Sequence, residues 1–102
     1  MPVVNGYAFH SAARVNQALG HVAEARLQWE AAIGAFSRGA GRVGLGQAVL
    51  CWVDLSSSCL HSGDRDGARR AAERAADLAR STGDPWIEEQ AAAQSAAVTG
   101  GS

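Results

Sequence analysis

The run ALGHVAEARLQWEAA, residues 18–32, has a counterpart in LHSGDRDGARRAAERAADLAR, residues 60–80, and this correspondence decides the fold. Each run begins as the end of one apolar segment, turns at a glycine, and continues into an Ala-rich segment with alternating charge. Laying Gly20 on Gly63, 43 residues later, sets Phe9 on Trp52, Ala13 on Ser56, Ala25 on Ala68 and Ala32 on Ala75. Large residues meet large and small meet small. A period of about 20–50 residues marks stacked units, each too thin to bury its own face.

The segments around the two glycines read as helices. The first is predicted over 7–19, with Asn5 as N-cap and Gly20 as a left-handed stop. The second, from Val22 to Arg38, has a 3.6-residue apolar stripe at Val22, Ala25, Trp29, Ala32, Ile33 and Phe36, and 39–41 end it. A third is expected over 46–60. The fourth, 66–80, puts Ala68, Ala71, Ala72, Ala75 and Ala79 on one narrow side, which lets a neighbour approach closely. Gly83, Asp84 and Pro85 then read as stop, cap and first turn of a fifth helix over 85–98. No segment alternates as a strand does. The fold class is all-α: antiparallel helix-turn-helix units in a right-handed stack of about five helices, with repeat 1 over 7–38, repeat 2 over 46–80 and a C-terminal helix over 85–98.

Composition is consistent with one domain of modest stability. The chain has 102 residues, 47% apolar, and the commonest of these, Ala, buries little surface. All nine basic residues are Arg, and the net charge is −1, so no strong field recruits nucleic acid or an anionic membrane. Cys51 and Cys59 lie eight residues apart on one helix, about 12 Å along its axis, too far for a disulfide. Free cysteines suit a reducing compartment, and 1–10 lack the basic and apolar regions of a secretion signal. No run reaches the ~20 apolar residues of a membrane span. The expected location is the cytoplasm.

With Phe9 and Trp52 early in each unit, small residues at Ala13, Ala25, Ala32, Ser56, Ala68 and Ala75, Leu55 in the second unit and a Gly-Asp turn between helices, residues 7–80 resemble tetratricopeptide repeats. Departures are Ala12 where that family has Leu, Asn16 where it has Tyr, Cys59 and Ala72 at aromatic positions, and a period above the family's 34. Phrases such as SGDRDGARRAAERAADLARSTGDP look like those in the long helical arrays of bacterial signalling and LuxR-type transcription regulators. The resemblance implies a concave groove lined by the first helix of each unit, here Tyr7, His10, Ser11, Arg14, Gln17, Leu50, Val53, Asp54, Ser57, Leu60 and His61. This mixture suits a peptide more than a small molecule. The family's Lys/Asn carboxylate clamp is absent, with Arg14 the only firm cation, which disfavours chaperone tails.

Several patterns invite other chemistry. Gly39, Gly41 and Gly44 satisfy G-x-G-x-x-G with Asp64 about 20 residues on, but dinucleotide binding needs a preceding strand, and a helical stripe precedes this motif, so an inter-helix loop is expected. Asp54, Ser57, Ser58 and His61 recur at i, i+3, i+4 and i+7 as a triad might, yet a mid-helix serine lacks an oxyanion hole, and a polar groove wall is the better reading. His10, His21 and His61 lack metal-ligand spacing. The Arg65, Arg69, Arg70, Arg74 and Arg80 series is interleaved with Asp64, Asp66, Glu73 and Asp77, predicting Arg69–Glu73 and Asp66–Arg70 pairs on a solvated face.

These observations predict a non-enzymatic protein- or peptide-binding scaffold with no catalytic residue, cofactor or metal and no direct nucleic-acid or membrane contact. The alternative is a piece of a larger transcriptional or signalling regulator whose repeats sense a ligand or partner. An enzyme using Asp54, Ser57 and His61 ranks third. Trp52 is the expected anchor of the second unit. Trp86 and Ile87 should turn inward on the fourth helix. Ala91, Ala92, Ser95 and Val98 are expected to form a free face through which the chain self-associates or accepts further repeats.

Overall fold

The backbone reverses twice by one device, 43 residues apart. The N–H of Gly20 donates to the Gln17 carbonyl at 3.1 Å and that of His21 to Asn16 at 2.8 Å; the N–H of Gly63 donates to Leu60 at 3.1 Å and that of Asp64 to Cys59 at 2.8 Å. This is the Schellman arrangement, which needs a left-handed residue at the turn, and φ is +82° at Gly20 and +84° at Gly63. Gly41 and Gly83 stand in the other two inter-helix turns with positive φ as well.

The computed structural model describes residues 2–38 and 41–100. They form α1 (Pro2–Ala18), α2 (Val22–Ser37), α3 (Gly41–His61), α4 (Arg65–Arg80) and α5 (Pro85–Gly100), with no strand among the described residues. The all-α reading holds. Two boundaries differ from those expected. α1 begins at Pro2, so Asn5 lies inside it rather than capping it. α3 begins at Gly41, five residues early, so the latter half of the glycine motif is helix rather than loop; Gly39 and Ala40 lie outside the described residues. Glycine weakens an isolated helix, but here it admits neighbours. A Cβ on Gly46 would lie 3.7 Å from Ile87 Cδ1 of α5, and Gly44 is buried.

Successive helices pack as neighbours, α3 touches both α1 and α5, and the backbones of α2 and α4 stay apart among the described residues. The odd helices therefore share one side of the stack and the even helices flank the other. The alanines and serine chosen as crossing positions, Ala13, Ala25, Ala32, Ser56, Ala68 and Ala75, are all fully buried. Small side chains there let helix axes approach closely.

The large core residues are not those the repeat suggested. Trp29, Ile33 and Phe36 of α2 are buried against Ala48, Cys51, Leu55 and Cys59 of α3, whereas Phe9 is 40% exposed. Trp52 is half-buried, at the fringe of this cluster and of a second one made by Val49, Ala75, Ala79, Ile87 and Ala91. The Arg74 guanidinium sits 5.6 Å from the Trp52 ring centroid. On α5, Ile87 turns inward as expected, but Trp86 is 55% exposed. Ala91 and Val98, expected on the free face, pack inward, and of that set only Ala92 is fully outside. No described helix is long and apolar enough to cross a membrane.

Candidate functional site

Two hydrogen bonds join α1 to α3. His10 Nε2 lies 3.1 Å from Asp54 Oδ2, and Ser58 Oγ donates to Gln17 Oε1 at 2.6 Å. Residue numbers rise together along both helices, so α1 and α3 run parallel. α1 touches α3 far less than α5 does. The thin contact leaves an open cleft of about 470 Å³ lined by Arg14, Gln17, Ala18, Trp29, Asp54, Ser57, Ser58 and His61.

Helical spacing explains this convergence. His10, Arg14 and Gln17, at i, i+4 and i+7, share one face of α1, and Asp54, Ser57, Ser58 and His61 do so on α3. His10 and Gln17 are spent on the two bridges. Arg14, between them, is exposed and makes no hydrogen bond or ion pair among the described residues. Asp54 is held by His10, whose ring also meets the Trp29 indole edge-on at 5.1 Å. Trp29 is 3% exposed, and its Nε1 has no hydrogen-bond partner.

The polar groups on α3 are arranged for packing. Ser57 Oγ donates to Gln94 Oε1 at 3.2 Å, Gln94 Nε2 donates to Ser56 Oγ at 2.9 Å, and Ser56 Oγ donates to the Ala68 carbonyl at 2.7 Å. His61 Nδ1 lies 2.9 Å from the Ser57 carbonyl, which can only accept, so Nδ1 carries the proton. The Ser57 and Ser58 hydroxyls both point at glutamines and Asp54 at His10. The arrangement is not that of a nucleophile with its base.

Of the groove residues read from the sequence, Arg14, Gln17, Asp54, Ser57 and His61 come together in the cleft, with His10 bridging its rim. Tyr7 packs edge-on against Phe36 at 5.0 Å between centroids. Ser11 is exposed on α1 outside the cleft lining. Leu50, Val53 and Leu60 pack against the core clusters. Ser58, read with Asp54, Ser57 and His61 as a polar groove wall, lines the cleft too, whereas Trp29 and Ala18 were not foreseen as lining. Trp29 belongs to the second helix of its unit, but its place on the α2 stripe that faces α3 is a signal for it.

The remaining motifs resolve into structure. α2, not a strand, precedes the glycine motif. Asp64 is the N-cap of α4: its Oδ1 accepts from the Gly67 N–H at 2.8 Å and its Oδ2 from Arg26 at 3.0 Å. The Gly67 hydrogen bond first, then Arg26, holds this carboxyl below its ordinary range. On α4 the ion pairs are Asp66–Arg69 at 2.6 Å and Asp77–Arg80, at i,i+3 rather than the i,i+4 pairs expected. No group of three His, Cys, Asp or Glu is placed for a metal among the described residues. Both cysteines are free and buried, and burial, aided by Asp54, pushes the Cys51 thiol up to about 12.

A second cleft, about 490 Å³, opens between α2 and α4 above Trp52, Leu55 and Cys59 of α3. Two of its cations are engaged, Arg26 by Asp64 and Arg74 by the Trp52 ring. No family model, curated protein or solved structure matches the chain.

Proposed function

We propose that the chain is a non-enzymatic scaffold, built like tetratricopeptide repeats, that holds a peptide segment of another protein in the cleft between α1 and α3. The carrying observation is Arg14, a cation without a partner among the described residues, midway between the two bridges that hold the cleft open. An open trough between parallel helices offers a peptide a wall of polar side chains and one unengaged charge to fix its direction. The hydroxyls and imidazoles that a hydrolase would need are committed to inter-helix or backbone partners, which supports a binding role.

The test is selection from a displayed peptide library on the intact chain, followed by titration of the selected peptides against variants. Arg14→Ala should weaken binding about tenfold, more at low salt, with helicity unchanged. Arg69→Ala, on the solvated face of α4, should leave affinity as it is. Selected peptides that respond to Arg69 and ignore Arg14 would move the site off this cleft.

A further inference from the structure

The end of the stack furthest from α5 presents an apolar face. Leu27, Leu19 and Val15 are 67%, 64% and 59% exposed, the most exposed large aliphatics among the described residues. They form one patch. The turn at Gly20 makes α1 and α2 antiparallel, and Asn16 Nδ2 donates to Gln28 Oε1 at 2.6 Å, which fixes the register so that Val15 and Leu27 lie side by side.

On α2 the side opposite the core stripe carries Glu24, Leu27, Ala31 and Gly34, continued by Arg38 at its C-cap, separated by alternating steps of three and four residues, the spacing of a seam that another helix can meet. Its middle is small. Its ends are oppositely charged. Arg38 lies along this seam, because a Cβ placed on Gly34 would be 3.2 Å from Arg38 Nη1. Neither Glu24 nor Arg38 makes an ion pair among the described residues.

We propose that this face is an isologous interface at which a second copy of the chain docks, with α2 antiparallel to the partner's α2. Two-fold symmetry brings each patch against itself, so residue i meets j and j meets i. In the antiparallel sense Glu24 faces the partner's Arg38 at one end of the seam, and the same pair recurs at the other end. A parallel arrangement would oppose like charges at both ends. Ala31 and Gly34 let the two α2 backbones approach, and Val15, Leu19 and Leu27 close over the sides. Between two copies the end charges cancel only in this antiparallel arrangement, and that self-complementarity is the argument for a second copy as the occupant.

Sedimentation equilibrium of the intact chain at tens of micromolar tests this, with a thermal melt of each variant by circular dichroism as the folding control. The wild-type chain should sediment at twice its mass. Leu27→Glu should give a monomer that still melts cooperatively, since the side chain is exposed within the protomer. Glu24→Arg and Arg38→Glu should each weaken association about tenfold, and the two combined should bring it back to within about threefold of wild type. A wild-type monomer overturns the proposal, as does a dimer that survives Leu27→Glu, a combined reversal that fails to restore association, or a dimer abolished instead by Trp86→Ser on α5.

Discussion

Gln94 of α5 reaches Ser56 of α3 inside the protein, its Nε2 donating to Ser56 Oγ at 2.9 Å while that hydroxyl donates to the Ala68 carbonyl of α4 at 2.7 Å. One serine thus joins three helices. Ile87 is the only large apolar residue of α5 that is buried, so the Gln94 contacts add a polar anchor to a thin apolar one.

Removing one partner of a buried hydrogen bond leaves the other unsatisfied, which costs about 1–3 kcal/mol. Gln94→Ala should destabilise by that amount because it leaves the Ser57 hydroxyl without its acceptor and removes the bond that Ser56 Oγ accepts. Ser56→Ala should leave the Gln94 amide without its acceptor. In a double-mutant cycle measured by urea unfolding, the pair should show a coupling of at least about 0.5 kcal/mol; strict additivity would mean that the two groups do not depend on each other.

Gly6 and Phe36 give an expectation whose sign runs against helix propensity. Glycine inside a helix usually gains about 1 kcal/mol on replacement by alanine. A Cβ on Gly6 would come 2.7–2.9 Å from three carbons of the Phe36 ring, and that ring is 1% exposed with nowhere to move. Overpacking costs about 1–3 kcal/mol, so Gly6→Ala should lower the melting temperature despite its better propensity. Phe36→Ala should cost about 3–5 kcal/mol, a large part of the total stability of a small domain. Trp52→Ala should cost less than Phe36→Ala, because Trp52 is only half-buried. An unchanged or raised melting temperature for Gly6→Ala would show that α1 does not seat on the Phe36 ring.

The turns and the crossing points were legible in the sequence because each depends on one residue's intrinsic limits. Only glycine enters the left-handed region cheaply at Gly20 and Gly63, and only small residues fit where axes cross at Ala13 and Ser56. The location of bulk was not legible. Size matching made Phe9 the first unit's equivalent of Trp52, but in that unit the core volume comes from α2, through Trp29, Ile33 and Phe36, while the equivalent positions on α4 are Ala72, Ala76 and Ala79. The start of α3 was missed because the glycines at 41, 44 and 46 lower helix propensity, and the neighbours they admit can be seen only in three dimensions. The cleft was half legible. Helical spacing gathers Arg14, Gln17, Asp54, Ser57 and His61 onto two faces, but which polar group bonds to which depends on helix register, so His10 and Asp54 were not foreseen as partners.

Acid should act through Asp64. Its carboxyl is depressed by the Gly67 N–H and by Arg26, so the ionised form is favoured in the folded state. A depressed folded pKa adds stability that is fully present above the unfolded value, about 3.9, and is lost as pH falls below it. Asp64→Asn keeps an N-cap acceptor but cannot titrate. The melting temperature of the wild type should therefore fall more steeply than that of Asp64→Asn as pH drops below about 4. Parallel curves would remove Asp64 from the acid response.

The cleft residues should separate by role. Arg14 is unpaired and exposed, whereas Asp54 is tied to His10 at 3.1 Å and so helps hold α1 to α3. Arg14→Ala should leave stability within about 0.5 kcal/mol of wild type, a shift in melting temperature of no more than about 2–4 °C, as surface changes away from packed groups usually do. Asp54→Ala removes the acceptor for His10 and should lower stability by about 1 kcal/mol, the net worth of one partly buried hydrogen bond. It should also loosen α1, which hydrogen exchange would register as faster exchange of the α1 amides with α4 unchanged. Asp54→Asn should recover most of that protection because its oxygen can still accept. If Asp54→Ala leaves α1 exchange untouched while Arg14→Ala speeds it, the bridge that shapes the cleft is Arg14 and not the His10–Asp54 pair.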